Sequence, residues 1–175
     1  RSATPEEVES AVVRMGVDLV NMVLMTELAV HAIGKTFATM FNTALVAEDE
    51  VFIQENQIIG CIQFTGQTNG RIYLRVPQSA SGWIVKGILG EGAPEDPSEM
   101  VCDVVGELLN MIGGNFKSNI CDAGANCTLS VPSVQIQSYF KVDLTEDQRR
   151  ETLYFHADQI PVLLDLVLGS ITNKS

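Results

Sequence analysis

The residues of this chain best suited to chemistry sit in one stretch, residues 103–116, DVVGELLNMIGGNF. At 3.6 residues per turn, Asp103, Glu107, Asn110 and Gly114 fall within about 60° of one another on a helix. Glu107 and Asn110 are then neighbours three residues apart that point the same way. One is an anionic acceptor, and the other both donates and accepts hydrogen bonds. Val101, Val104, Val105, Leu108 and Ile112 form the opposite stripe, with the spacing of a buried face. Gly106, Gly113 and Gly114 stand beside the polar strip, where each should cost the helix about 1 kcal/mol relative to alanine. Close approach of another backbone explains them better than helix stability does. Two plainer readings stay open: the glycines face another helix of the same chain, and Glu107 with Asn110 is an ordinary solvated face. Met100, Met111 and Phe116 offer an adaptable apolar rim, although methionine is more often core than contact.

The rest of the chain offers few competing sites. Four cysteines (Cys61, Cys102, Cys121 and Cys127) lack C-x-x-C spacing, and only His31 and His156 could add nitrogen ligands. Reduced, mostly buried thiols and no metal site are expected. No chemistry is assigned to the histidines, and Trp83 is read as an anchor for its own helix. With 22 acidic against 11 basic residues and a formal charge of -11, the chain is a poor match for a phosphate backbone, so no nucleic-acid partner is expected. The opening RSATPEEVES has no secretory pattern, which makes a cytoplasmic location the expectation. The segment VDLVNMVLMTELAV is broken by Asp18, Asn21 and Glu27 and is too polar for a membrane span.

The elements that must position the strip follow from periodicity and punctuation. Thr4, Pro5, Glu6 and Glu7 have the marks of a helix start, and helical pattern continues to Asn42 as one bent helix or two. Three strands are then expected at VFIQ, QIIGCIQFTG and RIYLRVP, joined by tight turns and so antiparallel. SASGWIVKGILG reads as a helix stopped by Gly90, and Ser98 is expected to cap the helix of the polar strip, which should reach about Asn119. Strands return in CTLSVP and SVQIQSYFKVDL, and ETLYFHA with PVLLDLVLG flanks Asp158 and Gln159 as a closing hairpin. Grouped helices and strands favour one α+β domain, helices packed on an antiparallel sheet, over an alternating parallel fold.

GELLNMIGGNFKSNI, preceded by QFTGQTNGRIYLRVP and ILGEG, resembles the CheX branch of the CheC/CheX/FliY chemotaxis phosphatases. The similarity runs over residues 27–134 and more loosely to 169. The family signature is E-x-x-N on a long helix, with an Asp or Ser one turn before and a proline after the next strand, and Asp103, Glu107, Asn110 and Pro132 match it. The resemblance implies a curved antiparallel sheet with long helices on one face, a homodimer, and residues 27–175 as the CheX-like domain with 1–26 as an additional helix. That added helix contains DLVNM from residue 18, an echo of ELLNM from residue 107 that is read mainly as packing.

The activity implied is hydrolysis of the aspartyl phosphate of a CheY-like response-regulator receiver. Asn110 would hold the attacking water, and Glu107 would pair with a receiver lysine. Asp103, Gly106, Met111, Gly113 and Gly114 would meet the partner. The chain itself is expected to bind no cofactor, the divalent metal (Mg) being the receiver's. A non-catalytic, CheX-like receiver-binding or adaptor module is the alternative.

Overall fold

The computed structural model describes residues 4–169, and the side chains of residues 12–20 lie outside that description. The DLVNM echo falls largely on them. Helix α1 spans Pro5–Phe41 as a single helix of 37 residues. It starts as its sequence dictates. The Thr4 hydroxyl accepts from the Glu7 amide at 3.2 Å while the Glu7 carboxylate accepts from the Thr4 amide at 2.7 Å, a reciprocal cap on two free donors. Asn42 ends it at φ 51°, a left-handed conformation that asparagine tolerates.

Strands β1 (Leu45–Glu48), β2 (Gln57–Gly66) and β3 (Asn69–Pro77) follow, then α2 (Ser81–Leu89) and α3 (Val101–Asp122). The chain closes with β4 (Cys127–Leu129), β5 (Ser133–Gln137), β6 (Arg149–Ala157) and β7 (Ile160–Gly169). All pairings are antiparallel, in the order β1-β6-β7-β3-β2-β4, with β5 also on β2. The α+β expectation stands. So do the β2–β3 pair and the closing hairpin, which turns at Asp158 with φ 54°.

Three local readings are corrected. Of SVQIQSYFKVDL only Ser133–Gln137 is a strand, and residues 138–144 run on without one. VFIQ at 51–54 is not a strand; Phe52 there is 71% exposed, and the first strand is LVAE, which pairs with β6 at the far edge. Ser98 does not cap α3. Its amide donates to Asp96 Oδ1, and the helix enters through a turn in which the Val101 amide donates to the Pro97 carbonyl at 2.9 Å. The far end reaches Asp122, three residues beyond the expected Asn119, before Gly124 turns the chain at φ 88°.

Alternation along the central strands sends Ile58, Ile62 and Phe64 of β2 and Ile72, Leu74 and Val76 of β3 into one core with the helices. Gly60 of β2 lies under α3, where a Cβ would collide with Leu109. α1 and α3 run antiparallel, and polar contacts fix their register. The Asn115 amide donates to Thr36 Oγ1 at 2.9 Å and the Asn119 amide to the Leu28 carbonyl at 3.1 Å. Thr36 is fully buried and donates onward to the Ala32 carbonyl, so its hydroxyl is satisfied both ways. Trp83 of α2 stacks on Phe41 of α1 at 4.4 Å between centroids, anchoring α2 to α1.

On the other sheet face Asp165 is fully buried. Its carboxylate accepts from Arg75 at 2.7 Å, from Arg150 at 2.9 and 2.5 Å and from Thr152 at 2.6 Å. Phe140, from the segment between β5 and β6, lies over both guanidiniums, 4.3 Å from that of Arg75 and 5.1 Å from that of Arg150.

Candidate functional site

α3 is two-faced because its apolar residues recur every three or four positions. Val101, Val104, Val105, Leu108, Leu109 and Ile112 are buried, with Phe116 and Ile120 continuing the stripe. Asp103, Glu107, Asn110 and Gly114 are all exposed on the opposite side. Among the described residues neither Glu107 nor Asn110 has a hydrogen-bond or ion-pair partner, so both polar groups are available to another molecule.

A groove of about 520 Å³ opens over this face. Asp103, Gly106, Glu107 and Asn110 line it from α3, with Val131, Pro132 and Val134 from the β4–β5 connection. Ile88, Leu89 and Met100 add to it from the end of α2 and the approach to α3, and Cys102 and Val104 of α3 complete it. The lining is apolar apart from the carboxylate and amide groups of the strip, a surface that gives contact area around a few orienting polar groups. Pro132 enters the groove because β4 and β5 pair with β2 directly beside α3.

Not every residue of the expected partner surface lies in this groove. Gly114 is exposed with no atom within 4 Å of a Cβ placed there, so it is open but one turn beyond the groove. Met111 is half-buried on the flank of the helix and does not line the groove. Gly113 corrects the expectation of partner contact. It is buried, and a Cβ there would stand 2.8 Å from Ile62 Cδ1 and 3.3 Å from Leu129 Cδ1, so its missing side chain lets α3 lie against the sheet. Phe116 likewise belongs to the core, edge-on to Phe64 at 5.0 Å between centroids. Sequence reasoning missed Leu89 and Val131 as groove residues. Their signal was present, since both are large apolar residues set in turn-rich stretches, but nothing local ties them to α3.

Among the described residues no group of three or more His, Cys, Asp or Glu side chains stands where it could hold a metal ion. All four cysteines are free; Cys127 is buried, Cys61 and Cys102 are half-buried and Cys121 is exposed. No helix among the described residues is long and apolar enough to cross a membrane.

An antiparallel sheet carrying long helices, with a carboxylate and an amide three residues apart over an open groove, defines a CheC-like fold with its E-x-x-N face exposed. The family described as chemotaxis phosphatase CheX matches residues 58–156, and the chain belongs to it. That range contains α3 whole, together with Pro132. A chemotaxis protein CheX from Desulfovibrio desulfuricans has the same fold, with 19% identity and a TM-score of 0.71 over 83% of this chain and 99% of that one. A CheC-like superfamily protein from Shewanella sp. PV-4 is 22% identical with a TM-score of 0.71, over 85% and 99% of the two chains. A third similar structure, the CheX-CheY-BeF3-Mg2+ complex from Borrelia burgdorferi, gives 16% identity and a TM-score of 0.66 over 83% of this chain and 97% of that one. Comparison with curated proteins finds no match.

Proposed function

We propose that this chain dephosphorylates the aspartyl phosphate of a CheY-like response-regulator receiver, with Asn110 positioning the attacking water and Glu107 pairing with a receiver lysine. The observation that carries this reading is the joint exposure of Glu107 and Asn110, unpartnered, in a groove large enough to admit part of another protein. CheX has been captured with CheY, BeF3 and Mg2+ in a fold like this one, which supports a receiver as partner. The divalent metal belongs to the receiver, where it offsets charge on the phosphoryl oxygens.

What this chain adds is position. The Asn110 amide can accept from a water and donate to a phosphoryl oxygen, so a water held by it approaches phosphorus already oriented, and the entropic part of the barrier falls. Glu107, one helical turn away, offers a carboxylate to a lysine ammonium and so sets the register in which Asn110 reaches the phosphoryl group. Asp103, one turn further back, extends the same acidic wall and sits in the first turn of α3, where an acid also suits the helix dipole.

The test is loss of phosphate from phosphorylated receivers of the same organism, with and without the protein. Asn110→Ala should lower kcat about 100-fold or more, the usual cost of removing one positioned polar group, with receiver affinity held. Glu107→Ala should raise KM about tenfold, the loss of one charge pair. Wild-type turnover by Asn110→Ala would remove the mechanism, and binding without hydrolysis by the wild type would leave a receiver-binding adaptor.

The reading includes a homodimer joined at a sheet edge and treats residues 1–26 as an addition to the domain of 27–175. Among the described residues β5 has β2 on one side and no strand on the other, so its outer edge offers free backbone donors and acceptors. Sedimentation should give twice the chain mass, and Ile136→Lys on that edge should return it to one; a wild-type monomer would remove this part of the proposal.

A further inference from the structure

Between Gly87 and Phe116 the chain carries Glu91, Glu95, Asp96, Glu99, Asp103 and Glu107 and no Lys, Arg or His. All six acids are exposed. Four of them lie on the connection from α2 to α3, whose two ends, Leu89 and Met100, line the groove. The other wall, drawn from residues 123–138, holds no charged side chain at all. Lys86 and Lys117, the bases that bracket this stretch in sequence, do not line the groove. The acidic field at the groove is therefore uncompensated within the wall itself.

The same groove presents large apolar side chains to solvent. Leu89 is 38% exposed, Met100 39% and Val131 89%. Neither feature serves the fold, because like charges on one loop repel and an exposed valine gains nothing from burial. Together they match a partner face with apolar side chains at its centre and Lys or Arg around them.

We propose that the acidic α2–α3 connection and the Val131 tip form a docking rim for a basic, apolar-centred face of the receiver. The acids raise the encounter rate, the apolar residues slow departure, and Glu107 and Asn110 are left to the chemistry. The proposal rests on the groove being the receiver site.

The experiment uses receiver domains of the same organism activated with beryllofluoride and Mg2+, so that binding is read without turnover. Association and dissociation rates are measured for the wild type, for the triple variant Glu91→Gln, Glu95→Gln, Glu99→Gln, and for Val131→Ser. Asp96 is kept because it accepts from the Ser98 amide at 2.9 Å and holds the loop. For the wild type the association rate should fall about tenfold from roughly 10 mM to 150 mM ionic strength, as the screening length shrinks from about 30 Å to about 8 Å. The triple variant should begin about tenfold slower at low salt and stay nearly flat, with its dissociation rate unchanged. Val131→Ser should dissociate several-fold faster while keeping the wild-type salt slope. A triple variant with the wild-type association rate and slope would overturn the proposal, as would a Val131→Ser protein with the wild-type dissociation rate, or a wild type that binds no activated receiver. These signatures in a protein that hydrolyses nothing would instead overturn the phosphatase reading and leave the docking rim standing.

Discussion

Gly113 and Gly114 are adjacent in sequence and about 100° apart around α3, and that angle decides what each lacks a side chain for. Gly114 faces open solvent, so Gly114→Ala should raise stability by about 0.5–1 kcal/mol through helix propensity alone. Gly113 lies on Ile62 and Leu129, so Gly113→Leu should lower stability by about 1–3 kcal/mol through overpacking. Urea unfolding of the two variants checks both signs. The helical wheel found the strip of Asp103, Glu107 and Asn110 because that strip depends only on spacing along one helix. It could not separate the glycines, because which shoulder of α3 meets the sheet depends on where β2 and β4 lie. A thiol prediction belongs at the same scale. Burial pushes the Cys61 thiol above its usual range, whereas Cys121 is exposed, so iodoacetamide at mildly alkaline pH should modify Cys121 well before Cys61.

Between elements, Asp165 is a fully buried polar tie. It sits on β7 and is held by Arg75 of β3 and by Arg150 and Thr152 of β6, so one carboxylate joins three neighbouring strands. Removing it leaves two guanidiniums under Phe140 without their anion. Asp165→Ala should therefore cost about 3–5 kcal/mol in chemical denaturation. A loss below about 1 kcal/mol would mean that solvent already screens the pair. Strands β2, β3, β6 and β7 were legible because each is long and bounded by turn residues, and α2 and α3 because their apolar periods are unbroken. β1 was not. LVAE and VFIQ are neighbouring short runs of similar character, and the choice between them is made by β6, about a hundred residues away, rather than by anything local. Nor was the Asp165 cluster visible, since a lone Asp in PVLLDLVLG gives no sign of the two arginines that reach it.

At the scale of the whole molecule, the fold and the site were legible to different degrees for one physical reason. The fold class follows from how elements group along the chain, whereas the groove is assembled from α2, α3 and the β4–β5 connection, pieces joined only by folding. Family resemblance supplied Pro132 as part of the signature, and the structure places it on the same groove as Asn110. The strand order has a further consequence, for the time at which this protein becomes itself. β3 has β2 as a partner as soon as the hairpin is made, but its other neighbour is β7, the last strand of the described chain. β1 waits even on β6. During synthesis, at roughly 5–20 residues per second, the apolar faces of α1, β2 and β3 must therefore stand without half of their sheet for several seconds. The β6–β7 hairpin brings Phe155, Val162, Leu164, Leu166 and Leu168 into the core, and a ribosome that stalls before residue 149 holds a chain that still lacks them.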